Sequence, residues 1–329
     1  MADTKISDYS EATSLAATDL LVIAQEDTAN KKATLATLQL AVGGLTSRET
    51  RSSNTILGVG DKGKMIDITA AITQTFTAAA TLAAGWWVIL RNATTDGTTV
   101  VTLDPNSSET IDGVATPRMY SGETRLIVCD GSNFYSHLLA SGLAKFTTDG
   151  TFYVPAGATT ADVVCIGGGG GGGGGRGGSA ATYRQGGTGG GGGARVRNVF
   201  PVSALGSAGN SVTVTVAAGG AGGAGGSSSD GTSGTAGGNT SLGTLLVAHG
   251  GGYGYRGSFT GATSGGGGGG NGAAGVDGSS GDSLGGIQTS LTVKHANGGG
   301  GGSSLAGSDP GGAAEYGGGG GGMGLGTGV

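Results

Sequence analysis

The chain has 329 residues, of which 79 are glycine and 5 proline; 12% are charged, 5% are aromatic, and the formal net charge is −5. Glycine far above the usual ~7%, with little proline and no strict Gly-X-Y period, excludes a collagen triple helix. Beyond residue 150 the six basic residues (Arg176, Arg184, Arg195, Arg197, Arg256, Lys294) are balanced by six acids (Asp162, Asp230, Asp277, Asp282, Asp309, Glu315), which excludes a nucleic-acid segment that works by neutralising phosphates.

No apolar stretch approaches the roughly 18 residues that cross a bilayer, and the start "MADTKISDYSE" lacks the basic and apolar regions of a signal peptide. A soluble chain, unsecreted by that route and without membrane insertion, is expected. Cys129 and Cys165, each ending an apolar strand-like run, read as buried free thiols rather than a disulfide framework, which suits assembly in a reducing cytoplasm.

The first stretch holds a short apolar run "DLLVIAQ" (19–25), a polar turn "EDTANKK", and "TLATLQLAV", in which Leu35, Leu38 and Val42 have helical spacing behind Thr34 as N-cap. So small a unit, 1–50, buries too little surface to stand alone. From 51 to 142 the sequence turns to short β runs: "KMIDIT", "QTFTAAATL", "GWWVILRNA", "TTVVTLDP", "ETIDGVA" and "TRLIVCDGSNFYSHLL", punctuated by "TTDG", "DPNSS" and "DGSN". Closely spaced turns predict a sandwich or barrel, with Val88, Leu90, Leu126 and Val128 inside and Trp86 and Trp87 at a sheet edge or subunit seam.

The third region, 143–329, opens with "AKFTTDGTFYVPAGATTADVVCI", which reads as a hairpin about a Pro-Ala-Gly turn, and runs straight into nine glycines. Further strand-like segments, "ARVRNVFPV", "NSVTVTVAA", "TSLGTLLVAHG" and "GIQTSLTVKHAN", alternate with glycine runs at 167–178, 186–193, 219–226, 231–238, 265–275, 298–302 and 317–322. An isolated glycine tract is disordered, because ordering a residue costs about 1–2 kcal/mol and a hydrogen bond returns about 1. Two features oppose that outcome. The runs alternate regularly with strands, and "AAGGAGGAGG" and "GTSGTAGG" repeat every three residues, the turn of a polyproline-II helix. Such helices make no internal hydrogen bonds, so side-chain-free copies can bond laterally. A mainly β chain is expected, ending in a strand-framed bundle of glycine helices.

Rods of glycine bring no chemistry, so recognition falls to the turns. The turns hold Arg176, Tyr183, Arg184 and Gln185, then Tyr253, Tyr255, Arg256 and Phe259, and last Asp309, Glu315 and Tyr316. Aromatic faces, guanidinium groups and amides suit sugars or protein loops, while packing over neighbouring rods is the structural alternative for each aromatic.

"KISDYSEATSLAATDLLVIAQEDTANKKATLATL" resembles the N-terminal module of many bacteriophage tail fibre proteins. "GDKGKMIDIT", "GWWVILRNATTDGTTVVTLDPNSSETIDG" and "RLIVCDGSNFY" resemble the fibre β domain that often follows it, and "FTTDGTFYVPAGATTADVVCIGGGGGG" with "NTSLGTLLVAHGGG" is similar to fibre tips and adhesins with a polyglycine-II core. The resemblance implies a virion protein, generally a homotrimer. Its N-terminal module would attach to a tail or baseplate protein, and its tip would touch a host glycan or outer-membrane protein. It also implies a β-sandwich-like fibre domain.

No enzyme or cofactor is expected. Gly-x-Gly-x-x-Gly matches mean nothing in this background and no P-loop occurs. His249 and His295 follow apolar strands without a ligand cluster and read as structural; the nonapeptide register of calcium repeats is missing. Glycan cleavage, the enzymatic alternative, needs two placed carboxylates, and the six distal acids all sit in turn or glycine-rich contexts. A purely structural fibre with a flexible glycine half is the other alternative.

Overall fold

The computed structural model describes residues 47–178, 184–259 and 263–280, with the backbone of 20–23 and 31–34. The chain divides into two units, Met1–Ala144 and Lys145–Val329, and is mainly β. At the start β1 (Leu20–Ile23) pairs antiparallel with β2 (Lys31–Thr34). The helix expected after Thr34 lies outside the described residues.

The first unit then coils. β3 (Ser47–Arg51), β4 (Thr55–Leu57), β5 (Lys64–Ile68), β6 (Thr73–Phe76), β7 (Trp87–Asn92) and β8 (Val101–Asp104) alternate between two sheets. Odd strands stack in parallel in one sheet, even strands in the other. β9 (Arg118–Met119) closes the second sheet, and β10 (Thr124–Cys129) and β11 (Phe134–Ala140) extend the first antiparallel, giving the orders β11-β10-β7-β5-β3 and β4-β6-β8-β9.

Between the sheets Trp86 stands edge-on to Phe76 and Phe134, with centroids 6.5 and 6.4 Å away. Leu57, Ile66, Val88, Leu90, Leu103, Ile127 and Cys129 pack around them. Two expectations are corrected. Trp86 is core rather than edge, because its Nε1–H finds the Gly58 carbonyl at 3.1 Å and the indole can be fully buried. On β10 the alternation holds with the opposite parity: Arg125, Ile127 and Cys129 point inward while Leu126 and Val128 point outward. Register decides this, since Ile127 stands opposite buried Val88 and Leu126 opposite Ile89 of the outer face. In "QTFTAAATL" the strand β6, which starts one residue earlier at Thr73, ends at Phe76; α1 (Ala79–Leu82) is one helical turn whose first amide donates to Glu109 Oε1 at 2.8 Å.

In the second unit β12 (Gly150–Tyr153) and β13 (Thr160–Ile166) do not form the expected hairpin. β12 pairs with β15 (Ser211–Thr215), whereas β13 pairs with β14 (Arg195–Pro201). β16 (Thr240–Leu242) and β17 (Leu246–Ala248) complete the order β12-β15-β16-β17; Gly243, with φ of 50°, makes the tight turn between them. Val154, Cys165, Val196, Leu205, Val212, Val214, Leu242 and Leu246 form the core of this frame. Cys129 and Cys165 are buried and free as expected, and burial pushes both thiols above the ordinary range. No helix among the described residues is long and apolar enough to cross a membrane.

From the frame extend seven described glycine-rich rods: rod 1 (167–178), rod 2 (185–194), rod 3 (217–226), rod 4 (231–238), rod 5 (249–259), rod 6 (263–270) and rod 7 (273–280). They bond sideways every third residue. The amides of Gly167, Gly170, Gly173 and Arg176 donate to the carbonyls of Ala194, Gly191, Thr188 and Gln185, so rods 1 and 2 are antiparallel. Gly168, Gly171 and Gly174 donate to Gly238, Thr235 and Thr232 of rod 4. The carbonyls of Gly169, Gly172 and Gly175 accept from Gly220, Gly223 and Gly226 of rod 3, which runs parallel to rod 1. Rod 5 is bonded in the same way to rods 1, 2, 4, 6 and 7. No described rod glycine has positive φ, and the lateral bonds recur every third residue.

Candidate functional site

Strand order dictates where the turns fall. Rod 1 leaves β13 and rod 2 returns to β14; rod 3 leaves β15 and rod 4 returns to β16; rod 5 leaves β17. The turns that join rods 1 and 2, 3 and 4, and 5 and 6 therefore gather at the end of the bundle away from the strands. Residues 179–183 and 260–262 of these turns, and all residues beyond 280, are outside the described set, and with them Tyr183, Asp309, Glu315, Tyr316 and His295.

At that end three turns are tied together around Arg176. Its amide donates to the Gln185 carbonyl at 2.8 Å, and Gln185 Oε1 accepts the Ser258 amide at 2.9 Å. The Arg176 guanidinium pairs with Asp230 from the turn between rods 3 and 4 and lies 5.0 Å from the centroid of the Phe259 ring. Asp230 Oδ1 also accepts the Phe259 amide at 3.2 Å. The Arg176 bond holds the Asp230 carboxyl below its usual pKa. Phe259 keeps 59% of its surface exposed, a fixed aromatic face backed by a cation.

Arg184 is exposed, with Nε donating to the Gly178 carbonyl at 3.0 Å. Four sequence candidates, Arg176, Arg184, Gln185 and Phe259, thus share one end of the bundle. Tyr253, Tyr255 and Arg256 instead lie along the flank of rod 5. Both tyrosines are half-buried; Arg256 is exposed, with its guanidinium 5.7 Å from the Tyr255 ring. The Tyr255 carbonyl is a bundle acceptor, taking the Thr188 amide at 3.0 Å and its hydroxyl at 3.1 Å.

Sequence reasoning missed Asp230 and Ser258. Asp230 had a readable signal: it is the sole acid between Asp162 and Asp277 and stands at a turn before "GTSG". Ser258 had none, because its role is an amide. Among the described residues no cluster of His, Cys, Asp and Glu could hold a metal ion.

A family profile described as a glycine-rich domain matches residues 147–329, more than half of the chain. The chain belongs to this glycine-rich domain family. The domain spans the β frame, all seven rods and the Arg176 cluster. No curated protein matches the chain.

Proposed function

We propose that this chain is a bacteriophage tail fibre protein whose glycine-rich domain binds the host surface without enzymatic activity, and that its rods are polyglycine-II helices. The reading is carried by one observation. The bundle commits its length to backbone bonding and gathers Arg176, Arg184, Gln185 and Phe259 at the end opposite the strands, with an exposed ring fixed on a guanidinium. A rigid scaffold that projects a few aromatic and Arg side chains at one end is the arrangement of a recognition surface.

On this reading the N-terminal module attaches to the tail or baseplate, the fibre is a homotrimer assembled in the host cytoplasm, and the ligand is a surface glycan or an outer-membrane protein. The test is adsorption of virions carrying Arg184→Ala and Phe259→Ala to susceptible cells. Adsorption about tenfold slower or worse, with an unchanged unfolding transition, is expected for loss of two contacts; unchanged adsorption overturns the assignment of this end as the contact surface.

A further inference from the structure

A chain that coils between two sheets stacks strand on strand, and each end of the stack leaves strands with a free edge. Such edges invite pairing with another chain unless something prevents it. In the first unit the end strands are β3 and β4 on one side and β11 and β9 on the other, each with a single neighbour in its sheet among the described residues. β4 and β9, of three and two residues, are too short to template a partner. The open question lies with β3 and β11, of five and seven residues.

β3 carries charge where its neighbour carries core. Glu49 and Arg51 stand beside Ile66 and Ile68 of β5, which are fully buried between the sheets, so both occupy inward positions. They form a closed ring with Asp61 and Lys64. Arg51 donates to Glu49 at 2.9 Å and to Asp61 at 2.8 Å, and Lys64 donates to the same two carboxylates at 3.0 and 2.9 Å. Arg51 Nη1 also donates to Thr55 Oγ1 of β4 at 3.3 Å, and that hydroxyl donates to the fully buried Gln74 of β6 at 3.0 Å. The ring therefore reaches from one sheet to the other across the end of the core. The side chains of Arg51 and Asp61 are 9% and 10% exposed, whereas Glu49 and Lys64 keep 39% and 25% and still touch water. A strand laid on the free edge of β3 would strip that water from charges whose partners are already taken, which is costly.

β11 is closed by other means. The Phe134 amide donates to the Thr110 carbonyl at 2.9 Å and its carbonyl accepts the Asp112 amide at 3.0 Å. Asp112 Oδ1 then accepts the Ser136 amide at 2.9 Å, and Oδ2 accepts the Ser136 hydroxyl. Asp112 holds φ at 54°, a left-handed conformation that Asp tolerates better than most residues, and so turns its carboxylate back on the strand. Backbone and carboxylate occupy the places where another strand would bond.

We propose that both features are edge guards: the ring of Glu49, Arg51, Asp61 and Lys64 and the segment 110–112 confine the first unit to one coil and keep copies of the chain from joining end to end through their strands. The ring works by inward charge, and the segment by occupying the edge.

The test is sedimentation velocity of the full chain over a wide range of concentration. Glu49→Val with Arg51→Val gives β3 an apolar inward face and leaves Lys64 paired with Asp61. This variant is expected to form a particle of about twice the wild-type mass that dissociates on dilution, because contact between two like ends closes on itself. Adding Ser47→Glu restores an inward charge beside Lys64 and should return the wild-type mass. A folded double variant that keeps the wild-type mass at every concentration overturns the proposal, and so does doubling that survives Ser47→Glu. Growth beyond doubling means a second open end and overturns the guard at β11. If the double variant fails to fold, Glu49→Thr with Lys64→Thr decides: it keeps the more buried Arg51 and Asp61 paired, and it must double on the same terms or the proposal falls.

Discussion

The two units fill their interiors with different material. Between the sheets of the first, the space is held by side chains, with Trp86, Phe76 and Phe134 at right angles or tilted to one another and aliphatic residues around them. Inside the bundle of the second there is almost no side chain at all: neighbours are carbonyl oxygens and amides at 2.7–3.2 Å. A side-chain core rewards volume and tolerates a change of shape at moderate cost. A backbone core rewards the absence of volume, and a single methyl can be too much. The contrast predicts opposite responses to opposite substitutions.

The largest effect is expected in the first unit. Trp86→Ala removes a fully buried indole together with the bond to Gly58 and should cost about 3–5 kcal/mol. Differential scanning calorimetry should show the transition of the first unit lowered and that of the glycine-rich domain unmoved; two equal shifts would mean that the units do not unfold independently. Next comes the reverse experiment. At Gly171 an added Cβ would occupy the space of the Ala221 carbonyl, so Gly171→Ala should cost about 3 kcal/mol. Gly186→Ala meets nothing within 4 Å and should change stability by less than about 0.5 kcal/mol. Equal effects at the two sites would remove the backbone-packing account.

The same contrast explains what could be read from sequence. In the first unit the strand runs were legible because alternation marks two faces, but "TRLIVC" is apolar enough on both that alternation could not say which face was inside. Pairing with β7 settled it, and that is a long-range fact. In the second unit the rods were legible as runs and as a three-residue repeat, since glycine's usefulness there is local. Which rod touches which was not legible, because residues without side chains carry no address. The addresses are the few exceptions: Thr232 and Thr235 fix rod 4 against rod 3, Asn239 and Asp277 fix the flank of rod 5, and Asp230 and Gln185 fix the far turns. Arg176, Arg184, Gln185 and Phe259 were legible as turn residues, but their meeting at one end of the bundle was not, because it follows from which strand each rod leaves and rejoins. The placement of Tyr253, Tyr255 and Arg256 along a flank was not, because the length of rod 5 depends on its neighbours.

If the threonines are the address, removing one should loosen one rod. Thr235→Val keeps the shape and deletes the acceptor of the Ala221 amide. It should cost about 1 kcal/mol and speed exchange at Ala221 while leaving Gly220, which donates to rod 1, unchanged. Exchange that rises along all of rod 3 would mean that the hydroxyl holds the rod as a whole.

The smallest expected effect is at the far end, where the backbone bundle gives way to side chains and pH can act. Asp230 has its pKa lowered in the fold, first by the bond from Arg176, and its stabilising contribution is therefore complete above the ordinary carboxylate range. It is lost as pH falls below about 4, through the lowered native value. The pair is only half-buried and is screened by salt, so the global transition should move little. The local consequence is sharper. Protonation weakens the acceptor of the Phe259 amide and the partner of the guanidinium beneath its ring, so protection at Phe259, measured against the intrinsic rate at each pH, should fall as pH drops through this range. The bundle amides Gly171 and Gly174, bonded only to backbone, should follow the intrinsic rate throughout. Asp230→Asn should abolish the difference at Phe259. If the difference persists in that variant, the turn is held by the glycine ladder and not by the ion pair, and the division between a backbone bundle and a side-chain end fails at its boundary.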